Sequence, residues 1–182
     1  MRVIAGLYKG LTIPLPKGGD IRPTTDRAKE ALFSILTNRY DVSECTVLDL
    51  FGGSGNVSFE FLSRGCNQIT FVEKNQRVSK QAEAFAESKD ISGIKFTTAD
   101  VFAFIKRTSK KFDIIFADPP YNLYNISEIP TLVREKGLLK SKGTLIIEHD
   151  SKLQWDSSYL VESRPYGQSV FSMFQFDVSL NK

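Results

Sequence analysis

Residues 46–61 read TVLDLFGGSGNVSFEF. An apolar run (46–51) leads into three glycines in four positions, Gly52, Gly53 and Gly55, and then into a helical pattern over 55–64. A strand, a glycine turn and a helix in that order form the opening unit of a parallel α/β sheet. The pattern repeats outward from this stretch. QITFVEK (68–74), IKFTTAD (94–100), FDIIFAD (112–118) and GTLIIEH (143–149) read as strands, with helices over 75–89, 101–108 and about 127–137 between them. Strands alternating with helices predict a doubly wound, mostly parallel sheet covered on both faces.

The two ends of the chain break this rhythm. SSYLVESRPYGQSVFSMFQFDV (157–178) holds two strand-like runs joined at Pro165-Tyr166-Gly167-Gln168, which predicts an antiparallel hairpin closing a seven-stranded sheet. MRVIAGLYKGLTIPLP (1–16) alternates around glycines and reads as a β-hairpin arm, followed by the loop KGGDIRP. Thr24 or Thr25 can cap a helix that carries Ala28, Ala31, Leu32, Ile35 and Leu36 on one face. The expected division is an arm over 1–22 and one α/β domain over 23–182.

Composition narrows the function classes. The 182 residues are 41% apolar and 25% charged, as in an ordinary soluble domain. No apolar stretch reaches the roughly 20 residues of a membrane span, and no signal-peptide core is present, so a cytoplasmic monomer is the expectation. Cys45 and Cys66 form no disulfide framework and no Cys/His cluster suggests a metal. The net charge of +3 is unevenly placed. Residues 1–40 hold seven basic and three acidic groups, net +4, and the remainder 17 basic and 18 acidic, net −1. A basic arm (Arg2, Lys9, Lys17, Arg22, with Arg27 beyond) suits a polyanionic partner.

Carboxylates recur where strands end: Asp49 before the glycine loop, Glu73, Asp100 and Asp118. Gly53, Gly55 and Ser58 with Glu73 make a weak dinucleotide-binding fingerprint. A pyrophosphate, however, would be repelled by Asp49. An adenosyl ligand carrying positive charge fits better: Glu73 can accept from two ribose hydroxyls and Asp100 from an adenine amino group. S-adenosylmethionine is such a ligand.

DLFGGSG (49–55) resembles motif I of class I S-adenosylmethionine-dependent methyltransferases, Glu73 their ribose-binding acid, and Asp118-Pro119-Pro120-Tyr121 their (D/N)PP(Y/F) motif. Together with RVIAGLYKGLTIPLP, RPTTDRAKEALFSIL and the late YGQS, these segments resemble the RsmD-type 16S rRNA guanine-N2 methyltransferases from Arg2 to about Phe176. The resemblance implies that Asp49, Phe51, Gly53, Gly55, Glu73 and Asp100 hold the cofactor. It also implies a methyl transfer to the N2 amine of a guanine in small-subunit rRNA, either naked or in a partly assembled particle, with RPTTDR close to the active site.

The chemistry asks for a stiff acceptor. An exocyclic amine on a base is a poor nucleophile because its lone pair is delocalised. Acceptors that hold it as it pyramidalises act on the transition state. Asp118 and the carbonyl of Pro119 are the candidates, since consecutive prolines fix φ and carry no N–H. Tyr121 offers a face for the base, a stack worth roughly 1–3 kcal/mol. The same tetrapeptide serves adenine and cytosine, so a DNA amine methyltransferase is the alternative, and an NAD-dependent oxidoreductase a remote one. His149, the one histidine, reads as structural or surface-lying rather than catalytic.

Overall fold

The computed structural model describes residues 1–15, 25–120, 122–167 and 169–176. Seven strands form one sheet: β1 (Thr46–Leu50), β2 (Gln68–Glu73), β3 (Ile94–Thr98), β4 (Phe112–Ala117), β5 (Leu139–Asp150), β6 (Leu160–Tyr166) and β7 (Ser169–Phe174). Their order is β3-β2-β1-β4-β5-β7-β6. The first five run parallel, and β7 is antiparallel to both β5 and β6. The predicted C-terminal hairpin therefore folds back so that its second strand enters between β5 and β6. β5 also starts four residues before the expected Gly143, because Leu139 pairs with Phe112 ahead of a register shift.

Helices cover both faces: α1 (Asp26–Arg39), α2 (Asn56–Ser63), α3 (Gln76–Glu87), α4 (Val101–Arg107) and α5 (Glu128–Glu135). Of the two candidate caps for α1, Thr25 performs the task, its side chain accepting from the Ala28 amide. Every residue of β1 is buried, as a central parallel strand requires. One core face joins Leu32 and Phe33 of α1 and Phe59 and Phe61 of α2 to Val47, Phe116 and Ile146 of the sheet. The other joins Val101 and Ile105 of α4 and Ile129 and Val133 of α5 to Leu48, Ile115 and Ile147. Cys45 and Cys66 are buried free thiols, and burial pushes the Cys45 thiol up to about 11.

The arm is a short hairpin with one bridge pair, Arg2 and Thr12, closed by the Val3–Leu11, Gly10–Val3 and Ile13–Met1 backbone bonds, and it does not extend into a longer ladder. The physical reason lies in where its amides go. Ile4 and Ala5 donate to the Glu60 carboxylate at 2.8 and 3.2 Å, and Leu7 donates to the Ser63 carbonyl at the end of α2. Val3 and Ile13 are buried in the first core face. The arm is thus seated on α2, the helix that follows the glycine loop.

Candidate active site

Strand order brings the site together. β1 and β4 are adjacent, with Leu50 in register with Ala117, yet the chain proceeds from β1 outward to β2 and from β4 outward to β5. This is the switch point at which open α/β sheets bind ligands, outside the carboxyl ends of their strands. Phe51 and Asp118 are the next residues of the two strands, and the Asp118 amide lies 3.5 Å from the Leu50 carbonyl. The glycine loop and the Asp-Pro-Pro turn therefore face each other.

In the loop, Phe51, Gly53 and Gly55 all have positive φ (63°, 54° and 82°). A Cβ on Gly55 would lie 2.6 Å from the Phe59 ring, and one on Gly52 would lie 2.2 Å from the Phe71 ring. At Gly53, among the described residues, only the Phe51 carbonyl, at 3.8 Å, stands within 4 Å of such a Cβ. Gly52 and Gly55 thus let the loop press onto its own core, and Gly53 presents the open backbone. Gly52 is legible in the sequence as a glycine of the loop but not as a contact, since the Phe71 ring arrives from β2.

Glu73 pins this loop. Its two oxygens accept from the Gly53 amide at 3.0 Å and the Asn75 amide at 2.7 Å. A carboxylate has about four acceptor positions, so lone pairs are left for hydroxyl donors. Asp49 is buried beneath the loop and accepts from the Ser58 hydroxyl at 2.5 Å. Burial pushes its carboxyl up to about 7, against the lowering effect of Ser58, and Glu73 adds to the rise. No cation among the described residues offsets it. A buried carboxyl poised near neutrality fits a cationic ligand and opposes a pyrophosphate. Asp100 caps α4 through the Ala103 amide at 3.1 Å, and Lys74 stands 3.5 Å from its other oxygen.

On the acceptor side Asp118 is half-buried, Pro119 buried and Pro120 exposed. The Pro120 carbonyl accepts from the Leu123 amide at 2.9 Å. Tyr121, Lys17 and Arg22 lie outside the described residues. Of the other basic candidates, Arg2 is exposed and pairs with Asp26 at 2.8 Å, and Lys9 and Arg27 are exposed as well. His149 is buried and structural. The Trp155 indole donates to its Nε2 at 2.8 Å, which fixes Nε2 as acceptor, and Nδ1 lies 2.8 Å from the Asp150 carbonyl. Burial holds this imidazole below its ordinary pKa.

The chain matches the family model described as Conserved hypothetical protein 95 over residues 1–175. It is 33% identical over 152 residues to ribosomal RNA small subunit methyltransferase D of Haemophilus influenzae, covering 81% of this chain and 78% of that protein. Among solved structures it resembles a putative methyltransferase of Escherichia coli, yhhF, with a TM-score of 0.84 and 27% identity over 96% of this chain and 97% of the other. The fold also matches, with a TM-score of 0.66 and 16% identity, a 16S rRNA N2 methyltransferase (RsmC) of Thermus thermophilus solved with AdoMet and guanosine. That match covers 87% of this chain and 44% of the other. A sheet in class I methyltransferase order, a glycine loop facing an Asp-Pro-Pro turn, and these likenesses converge: the chain belongs to the Conserved hypothetical protein 95 family, that of RsmD.

Proposed function

We propose that this protein transfers a methyl group from S-adenosylmethionine to the exocyclic N2 amine of a guanine in small-subunit rRNA. The observation that carries the reading is the Leu50–Ala117 register, which sets the cofactor loop and the Asp118 turn side by side. Family membership and the small-subunit rRNA methyltransferase relatives support the substrate class.

S-adenosylmethionine, when bound, supplies a methyl group on a sulfonium that leaves as a neutral thioether. Gly53 offers a loop backbone open to approach, Glu73 accepts from ribose hydroxyls while fixing that loop, and Asp100 faces the adenine. Asp49 supplies a buried negative charge once a cation is near. Asp118 and the Pro119 carbonyl accept from the target N2 amine and aim its lone pair at the methyl group. This orientation turns an encounter of two molecules into an in-line displacement. The amine nitrogen gains a methyl and, after transfer, sheds one proton to Asp118 or to water. Tyr121 provides the stacking face for a base turned out of its helix, and Arg2, Lys9, Lys17, Arg22 and Arg27 hold phosphates, which position without specifying.

A labelled-methyl assay on 16S rRNA, small ribosomal subunits and DNA tests this reading. Transfer to the RNA or the subunit, lost in Asp118→Ala while S-adenosylmethionine affinity stays within a few-fold, is the expected result. Transfer to DNA alone, or normal turnover by Asp118→Ala, contradicts it.

A further inference from the structure

Glu148 has no task in the mechanism above, yet it stands beside Asp118. β5 pairs with β4 up to Ile147 and Ala117, where β4 ends. The next positions along the two strands are Glu148 and Asp118. Alternation assigns their face: Phe116 and Ile146 contribute to the core beneath α1 and α2, whereas Ala117 and Ile147 contribute to the opposite one. One step on, Glu148 returns to the face of α1 and α2, and Asp118, the first residue past β4, takes the place next to it, neighbouring strands lying about 4.8 Å apart. On its far side Glu148 is in register with the fully buried Phe171 of β7. Glu148 itself is only 4% exposed. A nearly buried carboxylate therefore occupies the position next to the residue proposed to hold the amine.

We infer that Glu148 specifies guanine, its carboxylate accepting from the base N1–H while Asp118 and the Pro119 carbonyl hold the N2 amine. The inference rests on the guanine-N2 reading above. On the Watson–Crick edge, guanine alone among the amino-bearing bases sets a ring N–H donor beside its amine. Adenine and cytosine each set a ring-nitrogen acceptor there, whose lone pair would face the carboxylate. A site built around a buried acceptor rejects an analogue that lacks the donor far more strongly than an apolar pocket can. Asp118 and Pro119 do not make that distinction, since all three amines offer hydrogens. Choice of base is thereby separated from alignment of the amine, one strand apart.

The test compares an rRNA fragment carrying guanine at the mapped target with the same fragment carrying 2-aminopurine, which keeps the N2 amine and lacks N1–H. Wild-type protein should prefer guanine by about 100-fold or more in kcat/KM. Glu148→Gln, whose amide can donate to the 2-aminopurine N1, should bring that ratio below about 10-fold while S-adenosylmethionine affinity changes by less than about three-fold. A purely structural role would lower both substrates together. A wild-type ratio near one overturns the inference without need of the variant, and so does a Glu148→Gln ratio equal to that of wild type. If no guanine N2 in rRNA is methylated at all, the substrate reading itself falls and takes this inference with it. Guanine methylation with an unchanged ratio removes only the role of Glu148.

Discussion

Lys29 Nζ lies 3.2 Å from Glu60 Oε2, and both side chains are fully buried. The ammonium also donates to the Arg2 carbonyl at 2.7 Å and to Asn56 Oδ1 at 2.8 Å, while Glu60 takes the Ile4 and Ala5 amides and Arg64. One buried pair thus joins the arm, α1 and the first turn of α2. Burial holds the Lys29 ammonium below its ordinary pKa, and Glu60 offsets part of that fall. Removing one partner of a buried pair strands the other, so Glu60→Ala should lose about 3–5 kcal/mol in denaturant unfolding. Replacing both, as Lys29→Met with Glu60→Leu, should lose much less. The double variant should instead show faster hydrogen exchange at Ile4 and Ala5. Equal losses for the single and double variants would refute this account of the pair.

If Asp49 faces the cofactor as proposed, affinity for S-adenosylmethionine should depend on pH. Its folded-state value of about 7 lies above the ordinary 3.8, so in the free protein this group contributes stability that is complete below 3.8 and lost as pH rises through about 7. A bound cation favours the carboxylate and pulls the value down. S-adenosylmethionine should therefore bind more tightly as pH rises through 7 and release a proton, a dependence that Asp49→Asn abolishes. Calorimetry in buffers of different ionisation enthalpy measures both; pH-independent binding by wild type would sink the assignment.

The loop glycines separate by what they face. Alanine at Gly53 meets open space but a left-handed φ, which costs about 1–2 kcal/mol. Alanine at Gly55 meets that penalty and the Phe59 ring as well. Gly55→Ala should lower the melting temperature clearly more than Gly53→Ala. Gly53→Ala should weaken S-adenosylmethionine binding by more than its stability loss explains. A thermal melt with and without the ligand compares them, and a reversed order would show that the loop faces otherwise.

Charge, not deletion, probes the arm. Val3 and Ile13 belong to the core, so truncation would remove packing together with any grip on phosphate. Arg2→Ala with Lys9→Ala leaves that packing in place. Binding of an rRNA fragment should weaken, and its logarithmic salt slope should fall by about one for each phosphate no longer neutralised. S-adenosylmethionine affinity should hold steady. An unchanged slope would exclude both residues from the RNA interface.

Much of this architecture is legible in the chain because buried parallel strands are short apolar runs, and each of those from 46 onward ends in or near a carboxylate. The site follows once β1 and β4 are neighbours, an adjacency that the strand order shows and the alternation of strands and helices leaves open. Other relations come from pairing rather than periodicity. Nothing in the C-terminal pattern says that β7 enters between β5 and β6. Lys29 falls at a helical position that a lysine ordinarily offers to solvent, and its burial depends on Glu60 arriving 31 residues later. Ser58 reads as a place in a glycine fingerprint, and its bond to Asp49 appears only when α2 folds back over β1. Glu148 carries the same signal as the other strand-end carboxylates, but its neighbour Asp118 is reached through the register of β4 and β5.

The central claim is that this fold methylates the N2 amine of a guanine in small-subunit rRNA. Mass-spectrometric mapping of modified nucleosides in that RNA, before and after incubation with the protein and S-adenosylmethionine, tests it most directly. The account predicts N2-methylguanosine at one position, absent when Asp118→Ala replaces the wild type. A methylated adenosine or cytidine, or a product that persists with Asp118→Ala, would contradict it.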